Sequence, residues 1–241
     1  MIELSCDLGE ASDDEGRAVE RVMWELVDAV NVACGGHAGD EQSMLEAVLS
    51  ARRTGIILSA HPSYPDRENF GRKSMSIDLA DLRRSLITQI GALRDAAGPE
   101  GVALERVKAH GALYNDAYRN RELAEVLIDV MLTVDPTLAV VAPSDSEMAT
   151  AARANEMDVI CEAFADRRYM PDGTLVSRRD PDALLSADEA AEQAWLLVNG
   201  SAVIARGGTR LSIAFDTICL HADMEGSLER IRAIRHRLGV D

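Results

Sequence analysis

The stretch Ile56-Ile57-Leu58-Ser59-Ala60-His61-Pro62 decides how this chain is read. Apolar and small residues run straight into a histidine, and a proline then ends the run by removing a backbone donor and fixing φ. The expected product is a short strand that delivers one imidazole at its carboxyl end. The same order recurs in Val30-Asn31-Val32-Ala33-Cys34-Gly35-Gly36-His37, in Val107-Lys108-Ala109-His110-Gly111 and in Ile218-Cys219-Leu220-His221-Ala222-Asp223. Four of the five histidines therefore stand where strands end. In a parallel α/β sheet those ends open on one mouth, so residues far apart in sequence share one polar pocket.

Working outward, apolar periodicity predicts strands over 2–6, 30–34, 56–60, 106–109, 138–142, 158–162 and 211–220. Between them lie helical patterns over 17–29, from Asp40 onward, and over 78–97, 122–132, 144–155, 187–199 and 227–238. Seven strands alternating with helices imply a parallel sheet with right-handed crossovers. A distorted (β/α) barrel of seven or eight strands, TIM-like, is the expected fold. The alternative is an open doubly wound parallel sheet, because alternation does not decide closure. The segment 201–205 reads either as an eighth strand or as an extension of the preceding helix. Barrels commonly run to this length undivided, and no linker or repeat interrupts the chain, so one domain over 1–241 is expected.

A formal charge of −16 argues against a nucleic-acid face, which would need to be basic. No apolar run approaches a membrane span and no basic-then-apolar leader opens the chain, so a soluble cytoplasmic protein without membrane contact is expected. Cys6, Cys34, Cys161 and Cys219 form no C-x-x-C pair and read as buried free thiols. A reactive thiolate would need a basic neighbour.

Carboxylates accompany the histidines: Asp7 and Glu10, Asp40, Glu162 and Asp166, and Asp223. Imidazoles with carboxylates suit either a Zn²⁺-type site with an open water position or a metal-free acid–base site, and the spacing leaves both open. Lys108 is placed to stabilise an oxyanion or to form an ion pair. Arg72, Arg167, Arg168, Arg178 and Arg179 fall in the two longest expected loops, where they form either an anion clamp or solvated surface. His236 sits in the basic run Arg230–Arg237 and reads as a solvated helix residue. Neither a P-loop nor a G-x-G-x-x-G is present, which argues against a self-contained ATPase or Rossmann dehydrogenase.

Taken together, Asp7-Leu-Gly-Glu10, Asn31 through Asp40, Ala60 through Asp66, Phe70-Gly-Arg72, Val107 through Asn115, Phe164-Ala-Asp-Arg167 and Ile218 through His221 resemble the LamB/YcsF family, in the family's order and over nearly the whole chain. The resemblance implies a barrel of the glycoside hydrolase/deacetylase type. It also implies a role as component A of a 5-oxoprolinase, opening the lactam of 5-oxo-L-proline to L-glutamate with ATP as co-substrate and with partner subunits B and C. Phosphorylating the amide oxygen would make the resistant lactam carbon electrophilic.

Matched residue by residue, the resemblance makes Asp7, Glu10, His61, Lys108 and His110 the catalytic candidates. His37, Asp40, Asn115, Glu162, Asp166, Arg167, His221 and Asp223 complete the pocket, and a divalent metal is placed at Asp7, His37 and His61. Asp7 or Glu10 is read as the base, His61 and His110 as polarising groups, and Lys108 as the oxyanion partner. The chain departs from the family pattern at Ser5, Gly36, Ala109 and Met224; the first and last lose amide groups, and Gly36 is expected to open space. Two other readings stand beside this one: a metal-dependent deacetylase or amidohydrolase acting alone, and a non-catalytic carboxylate-binding subunit. Self-association into a homo-oligomer is compatible with each.

Overall fold

The parallel strands close on themselves. In the computed structural model, which describes residues 2–240, the strands are β1 (Glu3–Leu8), β2 (Ala29–Ala33), β3 (Ile57–His61), β4 (Leu104–Val107), β5 (Ala139–Ala142), β6 (Val159–Phe164), β7 (Ala202–Ile204), β8 (Arg210–Ser212) and β9 (Thr217–His221). Seven of them form a closed barrel in the order β1-β2-β3-β4-β5-β6-β9. The last strand seals it by pairing in parallel with both β1 (Ser5 opposite Cys219) and β6 (Glu162 opposite Thr217). The barrel expectation holds, and the open sheet is excluded.

Helices α1 (Asp14–Met23), α2 (Glu41–Thr54), α3 (Leu79–Ala97), α4 (Gly111–Arg119), α5 (Arg121–Val134), α6 (Glu147–Ala154), α7 (Ala187–Gly200) and α8 (Ser227–Leu238) surround it. Their starts follow from short polar caps that satisfy the first backbone N–H groups. Asp78 accepts from Ala80 and Asp81, Asn120 from Glu122 and Leu123, and Ser186 forms a capping box with Glu189.

Three expectations change. Segment 201–205 is neither a barrel strand nor helix: β7 pairs antiparallel with β8 outside the barrel. The cause is local, because Gly207 and Gly208 both take positive φ and fold the chain back at once, leaving no room for the crossover a parallel strand requires. For the same reason the run 211–220 is two strands rather than one, bent where the Asp216 backbone and carboxylate both bond Cys161. Helix α1 stops at Met23, and Asp28 then turns its carboxylate to the Leu4 N–H at 2.9 Å. Helix α4 was not foreseen; it buries Ala112, Leu113 and Ala117 against the core.

Strand alternation sorts the side chains. Leu4, Cys6, Leu8, Val30, Val32, Leu58, Ile218 and Leu220 join the apolar core. The intervening residues carry polar groups toward the barrel axis, where Ser5 meets Thr217 at 3.1 Å and Asp7 meets Asn31 at 2.8 Å. At the amino-terminal end Arg106 of β4 reaches across to Glu3 of β1 with paired bonds of 2.7 and 3.0 Å. A barrel interior is usually filled by branched apolar residues; this one carries a polar column from that ion pair to the mouth.

Candidate active site

The column ends in a layer of buried charge. Asp7 sits at the end of β1, Lys108 and His110 just past β4, His61 at the end of β3, Glu162 in β6 and His221 at the end of β9. All six are buried. Lys108 Nζ lies 2.9 Å from Asp7, 3.0 Å from Glu162 and 2.9 Å from the Cys219 sulfur. Burial disfavours its charge, but the Asp7 carboxylate overcomes that and raises Lys108 well above the ordinary lysine value. Burial likewise pushes the Cys219 thiol up, so this cysteine stays protonated despite its basic neighbour.

Beside this ion cluster stand three imidazoles and a glutamate. His37 Nε2 is 2.9 Å from Glu10, and its ring stacks on His110 with centroids 3.6 Å apart and planes 4° apart. Gly71 roofs the pair: any Cβ there would lie 2.9 Å from His37 and 3.1 Å from His110, and its φ is +63°. His61 spends Nδ1 on the Lys108 carbonyl at 2.8 Å, and His110 spends Nε2 on the Phe70 carbonyl at 3.0 Å. Both nitrogens must donate there, so the remaining ones face each other as lone pairs 3.0 Å apart, with Glu10 at 3.2 Å from His110. A proton on His61 or a cation must fill that gap.

The protonation directions agree with this geometry. Burial pushes His61 down, yet Asp7 beside it raises the ring above the usual imidazole value. His110 is carried by burial to about 4, and burial lowers His37 too. Burial alone would raise the two carboxyls; His61 and Lys108 hold Asp7 well below the carboxylate range, and the imidazoles of His110 and His37 beside it do so for Glu10. The four atoms that face one another at metal-ligand spacing, within 4.8 Å, belong to Glu10, His37, His61 and His110. Asp7, expected as a ligand, is instead bonded by Asn31 and Lys108.

Across the mouth His221 gives both its backbone N–H and Nδ1 to Asp166, at 2.9 and 3.0 Å, which fixes the ring and leaves Nε2 facing Asp7 at 3.8 Å. Arg72 and Arg178 both bond Asp223, and Arg167 lies buried beside them. A cavity of about 840 Å³ opens above, walled in part by Asp7, His61, His110, Glu162, Arg167 and His221, with Asn115 of α4 at its edge. Glu10 and His37 stand behind that wall.

Two expected pocket features are elsewhere. Asp40 is the exposed N-cap of α2, where it accepts from Ser43 N–H at 2.8 Å. Gly36 opens no space, since a Cβ there would meet Gln89 at 2.3 Å and Ser63 at 2.5 Å; the Gln89 amide fills that volume and pairs with the Ser63 backbone. Arg168 turns outward to Asp182 and Glu189, and His236 lies exposed on α8.

Two supporting residues were missed. Asn31 fixes Asp7, and Glu20 of α1 accepts from the Glu10 and Ala11 N–H groups at 2.8 and 3.0 Å. Asn31 stood visible in the middle of a strand; Glu20 resembled any solvated helix acid.

Known proteins share this architecture over its full length. A relative from Neisseria meningitidis serogroup C, named as the A subunit of 5-oxoprolinase, is 40 % identical over 239 residues, covering 99 % of this chain and 96 % of its own. One of the same name from Chloroflexus aggregans is 41 % identical, covering 98 % and 94 %. The crystal structure of a lactam utilization protein from Thermus thermophilus superposes with a TM-score of 0.89 at 33 % identity, covering 99 % of this chain and 96 % of that one. A putative cellobiose-phosphate cleavage protein from Enterococcus faecalis, TM-score 0.57 and 10 % identical, shares the fold alone. The model of the LamB/YcsF family matches residues 2–240, and the chain belongs to that family.

Proposed function

We propose that this chain, as one catalytic domain, is component A of an ATP-dependent 5-oxoprolinase that opens the lactam of 5-oxo-L-proline to L-glutamate together with partner subunits B and C. The observation that carries the reading is full-length identity of about two residues in five to proteins named as the A subunit of 5-oxoprolinase. ATP serves as co-substrate; with no P-loop or dinucleotide signature in this sequence, another loop type or another chain helps bind it. Among the described residues no helix is long and apolar enough to cross a membrane.

In this reading Asp7, which lines the cavity, stays ionised at neutral pH and takes a hydrogen of the attacking water, holding it over the ring carbon, while Glu10 behind the wall fixes His37. Lys108, whose ammonium is fixed by two carboxylates, faces the oxygen on which negative charge develops. His61 carries the proton that the departing ring nitrogen needs. His221, oriented by Asp166, positions the substrate at the opposite wall.

The lone-pair confrontation of His61 and His110 fits a divalent cation held by Glu10, His37, His61 and His110. When bound, such an ion lowers the pKa of water and polarises a carbonyl. The same group favours a second reading, a metal-dependent amidohydrolase that acts alone.

The deciding assay is glutamate release from 5-oxoproline by the full chain, alone and with B and C, with and without ATP, after metal analysis. Glutamate formed only with partners and ATP is expected. Hydrolysis by this chain alone without ATP would overturn the reading in favour of the second.

A further inference from the structure

One hydroxyl at the mouth is left over. Of the four tyrosines, Tyr64 donates to Asp116 at 3.0 Å, Tyr118 donates to Asp145 at 2.8 Å, and Tyr169 accepts the Phe164 N–H at 2.8 Å. Tyr114, in the first turn of α4 and 6 % exposed, is the one whose hydroxyl meets no hydrogen-bond partner among the described residues. Its ring stands edge-on to Phe164, with centroids 6.1 Å apart and planes at 84°, so packing sets its position. Beside it lies Glu162, 2 % exposed, and neither carboxylate oxygen there takes a hydrogen bond. Lys108 stands 3.0 Å from Glu162 as a charge, its own hydrogen bonds directed to Asp7 and Cys219. Burial, with the Glu162 carboxylate next to it, raises the Tyr114 phenol well above its ordinary value, so the group remains an O–H donor at neutral pH.

A buried donor and a buried acceptor left unspent side by side cost stability unless a ligand completes them. Both residues line the cavity, so a ligand reaches them there. The complement of the pair is a neutral group that offers one donor and one acceptor on the same edge. A ligand carboxylate does not qualify, because the Glu162 carboxylate repels it. An open-chain amide does not qualify either, since the trans form that it keeps sets N–H and C=O on opposite sides. A five-membered lactam does: its ring forces the amide cis and brings N–H and C=O to one edge.

We propose that Tyr114 and Glu162 read the cis-amide edge of the substrate, Glu162 accepting the ring N–H while the Tyr114 hydroxyl donates to the ring carbonyl oxygen. The proposal rests on the oxoprolinase reading and deepens it, naming the residues that select a lactam over a lactone or an open-chain amide. A carbonyl oxygen has two lone pairs, so the bond from Tyr114 leaves the second one for Lys108. The ring nitrogen is held by Glu162 while its carbon is attacked, which fixes the ring without adding charge to it.

Calorimetric titration of the full chain with 5-oxo-L-proline, and with the lactone of the same ring size and carboxylate, tests the pair. The lactam is expected to saturate one site and the lactone to bind about tenfold more weakly or worse, because its ring oxygen turns a lone pair toward Glu162. Glu162→Gln supplies an amide N–H for that oxygen, so the preference for the lactam should shrink by about tenfold. Tyr114→Phe should weaken both ligands alike, by about tenfold, since both keep the carbonyl. The melting temperature of the unliganded Tyr114→Phe chain should stay level or rise, whereas loss of a purely structural hydroxyl would lower it. Equal affinity for lactam and lactone, no saturable lactam binding, or lactam binding unchanged in Tyr114→Phe would overturn the proposal. The reconstituted glutamate assay separates the two claims. Lactam binding that needs both residues while no glutamate forms leaves the pair standing and removes the oxoprolinase reading; glutamate formation with unchanged kcat/KM in Tyr114→Phe removes the pair and leaves that reading.

Discussion

The two sides of the barrel mouth are built on opposite principles. On the histidine side each carboxylate faces a basic group inside the protein: Glu10 faces His37, Asp7 faces His61 and Lys108, and Glu162 faces Lys108. On the arginine side two guanidinium groups share one carboxylate and a third keeps a buried donor unspent. The difference teaches that one side is organised before any ligand arrives and the other is completed by one. Preorganised donors and acceptors carry bond-making steps because they need no rearrangement as charge develops. An unbalanced cluster suits binding.

The sharpest way to break this contrast is Asp7→Asn. Loss of the charge that holds both Lys108 and His61 should lower turnover in the assembled enzyme by about 10²–10⁴-fold, with the fold checked by circular dichroism; a loss under tenfold would strip the histidine side of its chemical role. Next, His61→Ala and His110→Ala should each reduce the bound divalent metal, read by elemental analysis, about 10–100-fold in affinity. Metal absent from the unmodified protein would assign the His61–His110 contact to a proton.

A third test addresses the link between the two sides. Burial would raise Asp166, but the charge and hydrogen bond of His221, aided by Arg167 and Arg178, hold it at about 2. A carboxylate with a depressed folded pKa adds stability that is present above about pH 4 and lost as pH falls through about 2, here on the order of 2–3 kcal/mol. Denaturation of Asp166→Asn should therefore show a shallower fall in stability between pH 4 and 2 than the unmodified chain. Glu20→Ala frees the Glu10 backbone rather than its charge, so kcat should fall about tenfold with KM little changed, the signature of a group that acts through another. Smallest of all, Arg106→Met at the far end of the barrel should cost about 1–2 kcal/mol of stability in urea melts and leave turnover intact, showing that the polar column divides into a structural foot and a chemical head.

How far all this was legible varies with its physical origin. Histidines placed before Pro62, Gly111 and the Ala222 turn announced strand ends because apolar patterning and turn chemistry are local. The same locality made Asp40 misleading, since Asp40-Glu-Gln-Ser43 spells a helix start as clearly as it suggests a pocket acid, and the helix claims it. Gly36 read as open space because sequence cannot show that Gln89, a full element and more further on, fills the gap. The Gly207-Gly208 turn was in plain view and still lost to the stronger apolar run beyond it. The partners of Glu20 and Asn31 depend on tertiary placement alone, and no local pattern encodes them.

The seam of the barrel carries one more consequence, in time rather than space. β1 and β9 meet at Ser5 and Cys219, so closure joins segments from opposite ends of the sequence. Pairings of such separation are slow to form, because the entropy of a long loop must be lost before contact repays it. His221 rides on that last strand and Asp7 on the first. Until the seam forms, the two cannot stand 3.8 Å apart, and a refolding chain should regain its helical signal well before its activity.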